Sequence, residues 1–109
     1  KVYLHGLWEQ TPEYVEYKGK DGEGWLAFRY YSSEVNVVMS GVGDVNVLLD
    51  EFPVIEQDKG KDVVHDAEKS IVKVEGSDMY NVVKHKDYHS RLLKLKPVKG
   101  IKIYALTFG

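Results

Sequence analysis

The feature that most constrains the fold is a period of two in the hydrophobic pattern of Trp25–Tyr31. On an extended chain Leu26, Phe28 and Tyr30 fall on one face. The opposite face of the same run carries Trp25, Ala27, Arg29 and Tyr31. Such alternation is typical of a β-strand with one buried face. No window of the chain shows a helical stripe, so we expect an all-β protein.

Short turn signals separate this run from the next β-prone runs. Ser32–Glu34 is predicted to be a hairpin turn leading into a strand at Val35–Met39. Gly41–Asp44 is predicted to be a second hairpin turn, before a strand at Val45–Leu49 that ends in a turn at Asp50–Pro53. Three successive strands with short connections favour an antiparallel meander.

The rest of the chain continues this pattern. The mostly charged stretch Glu56–Lys69 is predicted to be an exposed loop, and Lys86–Tyr88 a turn. Further strands are predicted at Tyr14–Tyr17, Ser70–Glu75, Met79–Lys84, Arg91–Lys96 and Ile101–Phe108. Short strands in this number and spacing indicate an antiparallel β-sandwich, of jelly-roll type.

Composition limits the functional classes. A chain of 109 residues with 43% hydrophobic residues is the size of one domain, and we expect a single domain over residues 1–109. The absence of cysteine excludes disulfides, thiolate metal sites and thiol redox chemistry within it. A net charge of −2 argues against a nucleic-acid partner. No apolar run approaches the about 20 residues of a membrane helix, so we expect no direct membrane insertion.

The start of the sequence bears on processing. The chain begins at Lys1, with no initiator methionine and no signal peptide. We therefore expect either a processed protein or part of a longer one.

The histidines do not indicate a catalytic or metal site. They lie scattered at His5, His65, His85 and His89. His85 and His89 are four residues apart, a spacing that does not converge on a strand as it does on a helix. We expect all four to be solvent-facing or hydrogen-bonded, and we expect no cofactor.

The acidic loop leaves two alternatives open. Its carboxylates are Asp58, Asp62, Asp66 and Glu68. They could supply oxygen ligands to calcium, but EF-hand spacing is absent and lysines are interleaved among them. A self-neutralised, solvated loop is the favoured interpretation, and the metal-binding alternative stays open.

Aromatic side chains provide the best candidate binding site. If Leu26, Phe28 and Tyr30 form the core row, the other face of the strand is exposed. We predict that Trp25, Arg29 and Tyr31 on that face bind a polar ligand such as a carbohydrate, by ring stacking and by guanidinium hydrogen bonds. Trp8 and Tyr104 are secondary candidates.

Five motifs in order resemble one known family. They are Leu4–Trp8, Leu26–Met39, Val47–Asp50 followed by Pro53, Met79–Val83, and the closing Gly100–Gly109. Together they resemble the C-terminal domain of DipZ-like proteins of the thioredoxin family, a β-sandwich similar to carbohydrate-binding modules. The sequence departs from this pattern at Glu51-Phe52, where the family has a glycine after the aspartate.

The resemblance implies a non-catalytic accessory module from the C-terminal part of a longer protein. In that family an adjacent thioredoxin-like domain performs the redox chemistry, and relatives work outside the cytoplasm. Binding of a carbohydrate or similar polar ligand is the function expected. The alternative is a structural or protein-interaction domain that docks onto the thioredoxin-like domain or positions its substrate. A hydrolase is disfavoured, since no nucleophile or acid pair has a supporting motif.

Overall fold

The alternating segments form strands. The computed structural model describes residues 1–109, contains no helix, and pairs all of its strands antiparallel, which confirms the all-β prediction. The strands are β1 (Val2–His5), β2 (Trp8–Gln10), β3 (Val15–Tyr17), β4 (Trp25–Ser40), β5 (Val42–Leu49), β6 (Phe52–Pro53), β7 (Val63–Asp66), β8 (Lys69–Glu75), β9 (Asp78–Pro97) and β10 (Lys102–Phe108).

Two of these strands are far longer than the sequence predicts. β4 runs for 16 residues and β9 for 20, so the turns predicted at Ser32–Glu34 and Lys86–Tyr88 are wrong. The two strands pair from Leu26 with Leu95 to Met39 with Asp78, with register shifts in the middle. A bulge bends a strand without reversing it. The bulges here therefore redirect the two strands.

The bent strands divide the fold into two layers of a β-sandwich. The front layer consists of β2, β3, β10, the second half of β4 and the first half of β9. The back layer consists of β1, the first half of β4, the second half of β9, β5, β8 and β7, with β6 beside β5. β4 and β9 belong to both layers.

The predicted meander is also wrong. β4 and β5 follow one another in sequence, but β9 lies between them in the sheet order. The connection at Gly41 is a corner between layers, with φ of 114°. A Cβ added at Gly41 would lie 3.1 Å from the carbonyl oxygen of Gly100, so a side chain here would strain both the backbone and its neighbour.

The core fills the space between the layers. Leu26, Phe28 and Tyr30 are buried, as predicted from the alternation. From Val35 onward the buried positions of β4 become odd-numbered, because the bulges after Ser32 shift the alternation by one residue. The same core cluster includes Val45, Val47 and Leu49 of β5 and Leu93 and Leu95 of β9.

The charged stretch Glu56–Lys69 is only partly a loop. It contains β7, which pairs with β8 from Val63 with Val72 to Asp66 with Lys69. Val63 is fully buried, which fixes this hairpin to the core. The loop prediction missed β7 because the strand is short and is flanked by charged residues.

The turn between β5 and β6 has unusual backbone angles. Asp50 and Glu51 have φ of 51° and 73°, so the two residues joining Leu49 to Phe52 are both left-handed. Hairpins of this kind favour glycine at the second position, where Glu51 stands. The Glu51 carboxylate accepts hydrogen bonds from Lys94 Nζ at 2.9 and 3.0 Å, which ties the turn to β9.

We predict that Glu51→Gly is more stable than Glu51→Ala by about 1 kcal/mol. Both variants lose the ion pair with Lys94, but only glycine relieves the left-handed backbone. Urea unfolding of the two variants measures the difference. The same substitutions at Glu75, an exposed β8 residue with ordinary φ, should give the opposite order. Equal stabilities for the Glu51 pair would contradict the prediction.

Candidate ligand-binding surfaces

Three predicted site residues share the outer face of the back layer. Trp25, Arg29 and Tyr31 alternate with the buried row of β4, so they point away from the core. Arg29 and Tyr31 are exposed, whereas Trp25 is half-buried. At about 3.3 Å per residue the row extends over roughly 20 Å. Ala27, which lies on the same face between Trp25 and Arg29, is buried, so the exposed part of this strip of the sheet surface is interrupted at that position.

The Trp25 ring has neighbours from both adjacent strands. His5 of β1 stacks on it with a centroid distance of 5.1 Å and an interplanar angle of 18°. Lys94 of β9 places Nζ 4.5 Å from the ring centroid. Because β1 and β9 flank β4 on opposite sides, Trp25 is held between them. This end of the strip is therefore a mixed aromatic and cationic surface, with His5 stacked on the Trp25 ring.

An exposed pair of tyrosines lies at the other end of the strip. Tyr31 and Tyr88 are 71% and 58% exposed, and their ring centroids are 5.8 Å apart at an interplanar angle of 40°. Sequence reasoning missed Tyr88 because it placed this residue in a turn. Its position in β9 beside the register shift brings its ring to Tyr31.

The two secondary candidates lie in the front layer. Trp8 is half-buried against Tyr17, with a centroid distance of 5.1 Å, and donates a hydrogen bond from Nε1 to the carbonyl of His5. Tyr104 lies 5.3 Å from Tyr14 between ring centroids. The structure therefore does not bring Trp8 and Tyr104 into the strip of Trp25, Arg29 and Tyr31.

Tyr104 borders an apolar groove of about 310 Å³. Val2 and Leu4 of β1 and Tyr104–Leu106 of β10 line this groove together with the segment Gln10–Val15, and Glu13 is its one charged lining residue. Tyr104 is the extra residue where the register between β10 and β4 shifts. A bulge of this kind re-aims side chains at an edge of a sheet. Sequence reasoning had no signal for the groove, since its walls are far apart in the chain.

A buried polar network lies beneath the exposed tyrosine pair. The Tyr30 hydroxyl is 2.7 Å from His85 Nε2, and His85 Nδ1 is 3.2 Å from the Asp58 carboxylate. The Asp58 carboxylate also faces Arg91, which in turn pairs with Asp50. Burial raises the pKa of Tyr30 well above its usual range, so Tyr30 keeps its proton to donate. The His85 side chain is fully buried, which removes it from contact with any substrate.

The histidine prediction was correct in part. His85 is hydrogen-bonded, as expected. The expectation that His85 and His89 do not converge is wrong, because their ring centroids are 4.8 Å apart. Ser32 of β4 pairs with His89, whereas Glu34 pairs with Lys84, so β9 carries extra residues between these two positions. The extra residues of β9 interrupt the regular strand geometry, so the rings of His85 and His89 come together although the two residues are four apart in the sequence.

The carboxylates of the acidic loop face different partners. The Asp62 carboxylate accepts a hydrogen bond from the backbone amide of Asn81 at 2.7 Å, whereas Asp58 faces His85 and Arg91. No group of three or more histidine, aspartate and glutamate side chains is placed to hold a metal ion. The structure also has no helix with the length and apolarity needed to cross a bilayer.

The whole chain matches one protein family. The sequence model of the thioredoxin like C-terminal domain matches residues 1–109, so the chain belongs to this family. This confirms the thioredoxin-family part of the resemblance. A comparison with curated protein sequences finds no match.

Solved structures share the fold. A family two carbohydrate esterase from Cellvibrio japonicus superposes with a TM-score of 0.74 at 11% identity, over 98% of this chain and 30% of the esterase. An active-site mutant of a family two carbohydrate esterase from Clostridium thermocellum gives 0.72 at 13% identity, over 100% of this chain and 31% of the esterase. The chain thus spans less than a third of either enzyme, and the likeness shows a common β-sandwich fold.

We predict that Tyr30→Phe lowers the free energy of unfolding by about 1–3 kcal/mol, because it leaves His85 Nε2 buried without its partner. Urea unfolding measures the loss. The matched control is Tyr104→Phe, which removes a hydroxyl 3.1 Å from Ser40 Oγ at an exposed site and should cost less than about 0.5 kcal/mol. Equal losses for the two variants would show that the buried network adds no stability.

A second prediction concerns pH. Burial pushes the pKa of Asp50 upward, but the amide of Leu92 and the guanidinium of Arg91 outweigh it and hold that pKa below its usual range. Asp50 therefore stabilises the fold above about pH 4, near the pKa of an unfolded aspartate, and the benefit disappears as pH falls through the lowered pKa.

Asp50→Asn tests this directly. The difference in free energy of unfolding between the wild type and Asp50→Asn should be largest at neutral pH and should shrink below about pH 4. Urea titrations from neutral to acidic pH measure it, and comparison with the variant cancels the titration of the other carboxylates. A difference that is independent of pH would contradict the assignment.

Proposed function

We propose that this chain is a non-catalytic accessory module of a thioredoxin-like protein of DipZ-like organisation, and that it binds a carbohydrate or a similar polar ligand. The binding surface is the outer strip of β4, with Trp25, Arg29 and Tyr31 as contacts. Tyr88 extends this strip. The family match and the carbohydrate-esterase neighbours support an accessory β-sandwich.

The observation that carries the proposal is the exposed Tyr31–Tyr88 pair near Arg29 on one sheet face. Pyranose rings present C–H groups that pack on aromatic faces and hydroxyls that accept hydrogen bonds from a guanidinium. A 71% exposed tyrosine loses little conformational freedom on binding, since it has only two rotatable side-chain bonds. The strip offers both kinds of contact to a single ligand.

The distribution of charged side chains along the strip suits a neutral ligand. Arg29 lies close enough to Asp50 to contribute to lowering the pKa of its carboxyl, and Lys94 pairs with Glu51. Each of these two cations thus has a carboxylate in its vicinity. A neutral sugar can accept hydrogen bonds from the Arg29 guanidinium, whereas a strongly charged ligand meets repulsion from one sign or the other.

Titration of the isotope-labelled domain with neutral oligosaccharides, cellohexaose and chitohexaose, tests the proposal by NMR after a glycan-array screen. Shift changes should map to Trp25, Arg29 and Tyr31. Tyr31→Ala should weaken binding about tenfold, equivalent to the loss of one stacking contact. Tyr104→Ala, an exposed tyrosine of the other layer, is the matched control and should bind as the wild type does.

The possible results distinguish a binding site at another place from an absence of carbohydrate binding. Binding that is lost in Tyr104→Ala or in Trp8→Ala, but kept in Tyr31→Ala, would place the ligand at the secondary candidates of the front layer. Absence of any shift change across the array would overturn the carbohydrate proposal. The alternative, a polypeptide-interaction role beside a thioredoxin-like domain, is favoured by a different observation, the apolar groove beside β1.

A further inference from the structure

One edge of the back layer is an unprotected strand. β1 pairs only with β4, and none of the backbone hydrogen bonds outside the sheet pairing involves Val2–His5. Successive residues of an antiparallel edge strand direct their amides and carbonyls alternately to the two sides. About half of the peptide groups of β1 therefore face away from β4 without a backbone partner. At the end of the strand, the His5 carbonyl accepts a hydrogen bond from the Trp8 indole at 2.8 Å.

Within Val2–His5, β1 lacks the features that normally shield such an edge, and the nearest charge on the strand's own segment is Lys1, whose Nζ lies 5.5 Å from the Tyr3 ring centroid. Native edge strands carry charges, proline or bulges, because bare edges pair with other chains. The sequence Val-Tyr-Leu-His of β1 has no acid, lysine, arginine or proline, in a chain with 29% charged residues. The opposite edge, β7, ends in Asp66, and its His65 ring is hydrogen-bonded to the carbonyl of Val54 at 2.7 Å.

The apolar groove lies directly beside this edge. Val2 and Leu4 pair with the inward-facing Phe28 and Leu26, so their side chains point toward the space between the layers. They line the groove together with Tyr104–Leu106. A strand added beside β1 would place alternate side chains, about 7 Å apart, over this groove.

The exposed edge and the groove together determine which class of molecule can bind here. It must offer amides and carbonyls at strand spacing, and its alternate side chains must be apolar, since Glu13 is the one charged group of the lining. Only an extended polypeptide combines both properties. A glycan lacks the peptide groups, and lipid chains lack hydrogen-bonding groups.

We infer that β1 and the adjacent groove bind an extended, uncharged polypeptide segment by β-strand addition. The inference does not depend on carbohydrate binding, because it concerns another surface and another class of ligand.

The test uses a short blocked peptide of alternating valine and threonine with a lysine at each end. Fluorescence anisotropy of the labelled peptide measures binding to the domain, and amide hydrogen exchange of the domain reports on β1. Binding should slow exchange of the outward-facing β1 amides. A peptide N-methylated at alternate residues keeps the side chains but loses backbone donors, and it should bind at least about tenfold more weakly.

Two protein variants and one control locate the site. Val2→Lys introduces a charge on the edge, and Ala105→Glu introduces one at the exposed wall of β10 without touching β1. Each should weaken peptide binding at least about tenfold. The control is Val64→Lys, on edge strand β7 and of similar exposure at 42% against 45% for Val2, and it should bind as the wild type does.

Other outcomes would overturn the inference. These are no peptide binding, equal binding of the N-methylated peptide, or equal weakening by Val64→Lys. Sedimentation tests a further possibility. If the wild type is a dimer and Val2→Lys is a monomer, the edge of β1 pairs with a second copy of the chain. Circular dichroism of each variant verifies folding, and Ala105→Glu keeps the test decisive if Val2→Lys does not fold.

Discussion

The pairing of β4 with β9 is the constraint on which the rest of the structure depends. These two strands run side by side from Leu26 with Leu95 to Met39 with Asp78, and they bend together from the back layer into the front layer. β1 and β10 attach to β4, and β5 attaches to β9. Each remaining strand of the sandwich joins through these. The corner at Gly41 and the two bulged segments allow one continuous sheet to enclose a core between its own halves.

The buried network is placed where this pairing is least regular. β9 has extra residues opposite Ser32–Glu34, and His85 within them turns inward to Tyr30 and Asp58. Polar groups buried in this way are stable only when their hydrogen bonds are satisfied. The exposed Tyr31–Tyr88 pair belongs to the same irregular segment, because Tyr88 lies between His85 and the position where Ser32 pairs with His89.

The sequence predicts local features of this fold well and long-range ones poorly. Alternation in Trp25–Tyr31 correctly identifies Leu26, Phe28 and Tyr30 as the core row, because burial of one face acts on neighbouring residues, but it also places the buried Ala27 in the outer row. Between Ser32 and Val35 the buried positions change from even-numbered to odd-numbered residues, and that change marks a bulge. The prediction of a turn at Ser32–Glu34 is wrong because a polar three-residue break between two apolar runs looks the same in the sequence as a bulge within one strand. The tyrosine pair and the groove could not be predicted, since both depend on which strands become neighbours.

The position of β10 has a consequence for the order of folding. Residues 102–108 lie between β3 and the second half of β4, so the front layer has a gap until this last strand arrives. β4 likewise waits for β9, which is distant in the chain, and sheets closed by such non-local pairs fold in roughly milliseconds to seconds. During synthesis the apolar row of β4 therefore leaves the ribosome after β1 but well before β9 and β10. Closure of the sandwich therefore waits for almost the whole domain, whereas local pairs such as β7 with β8 need only a short stretch of chain.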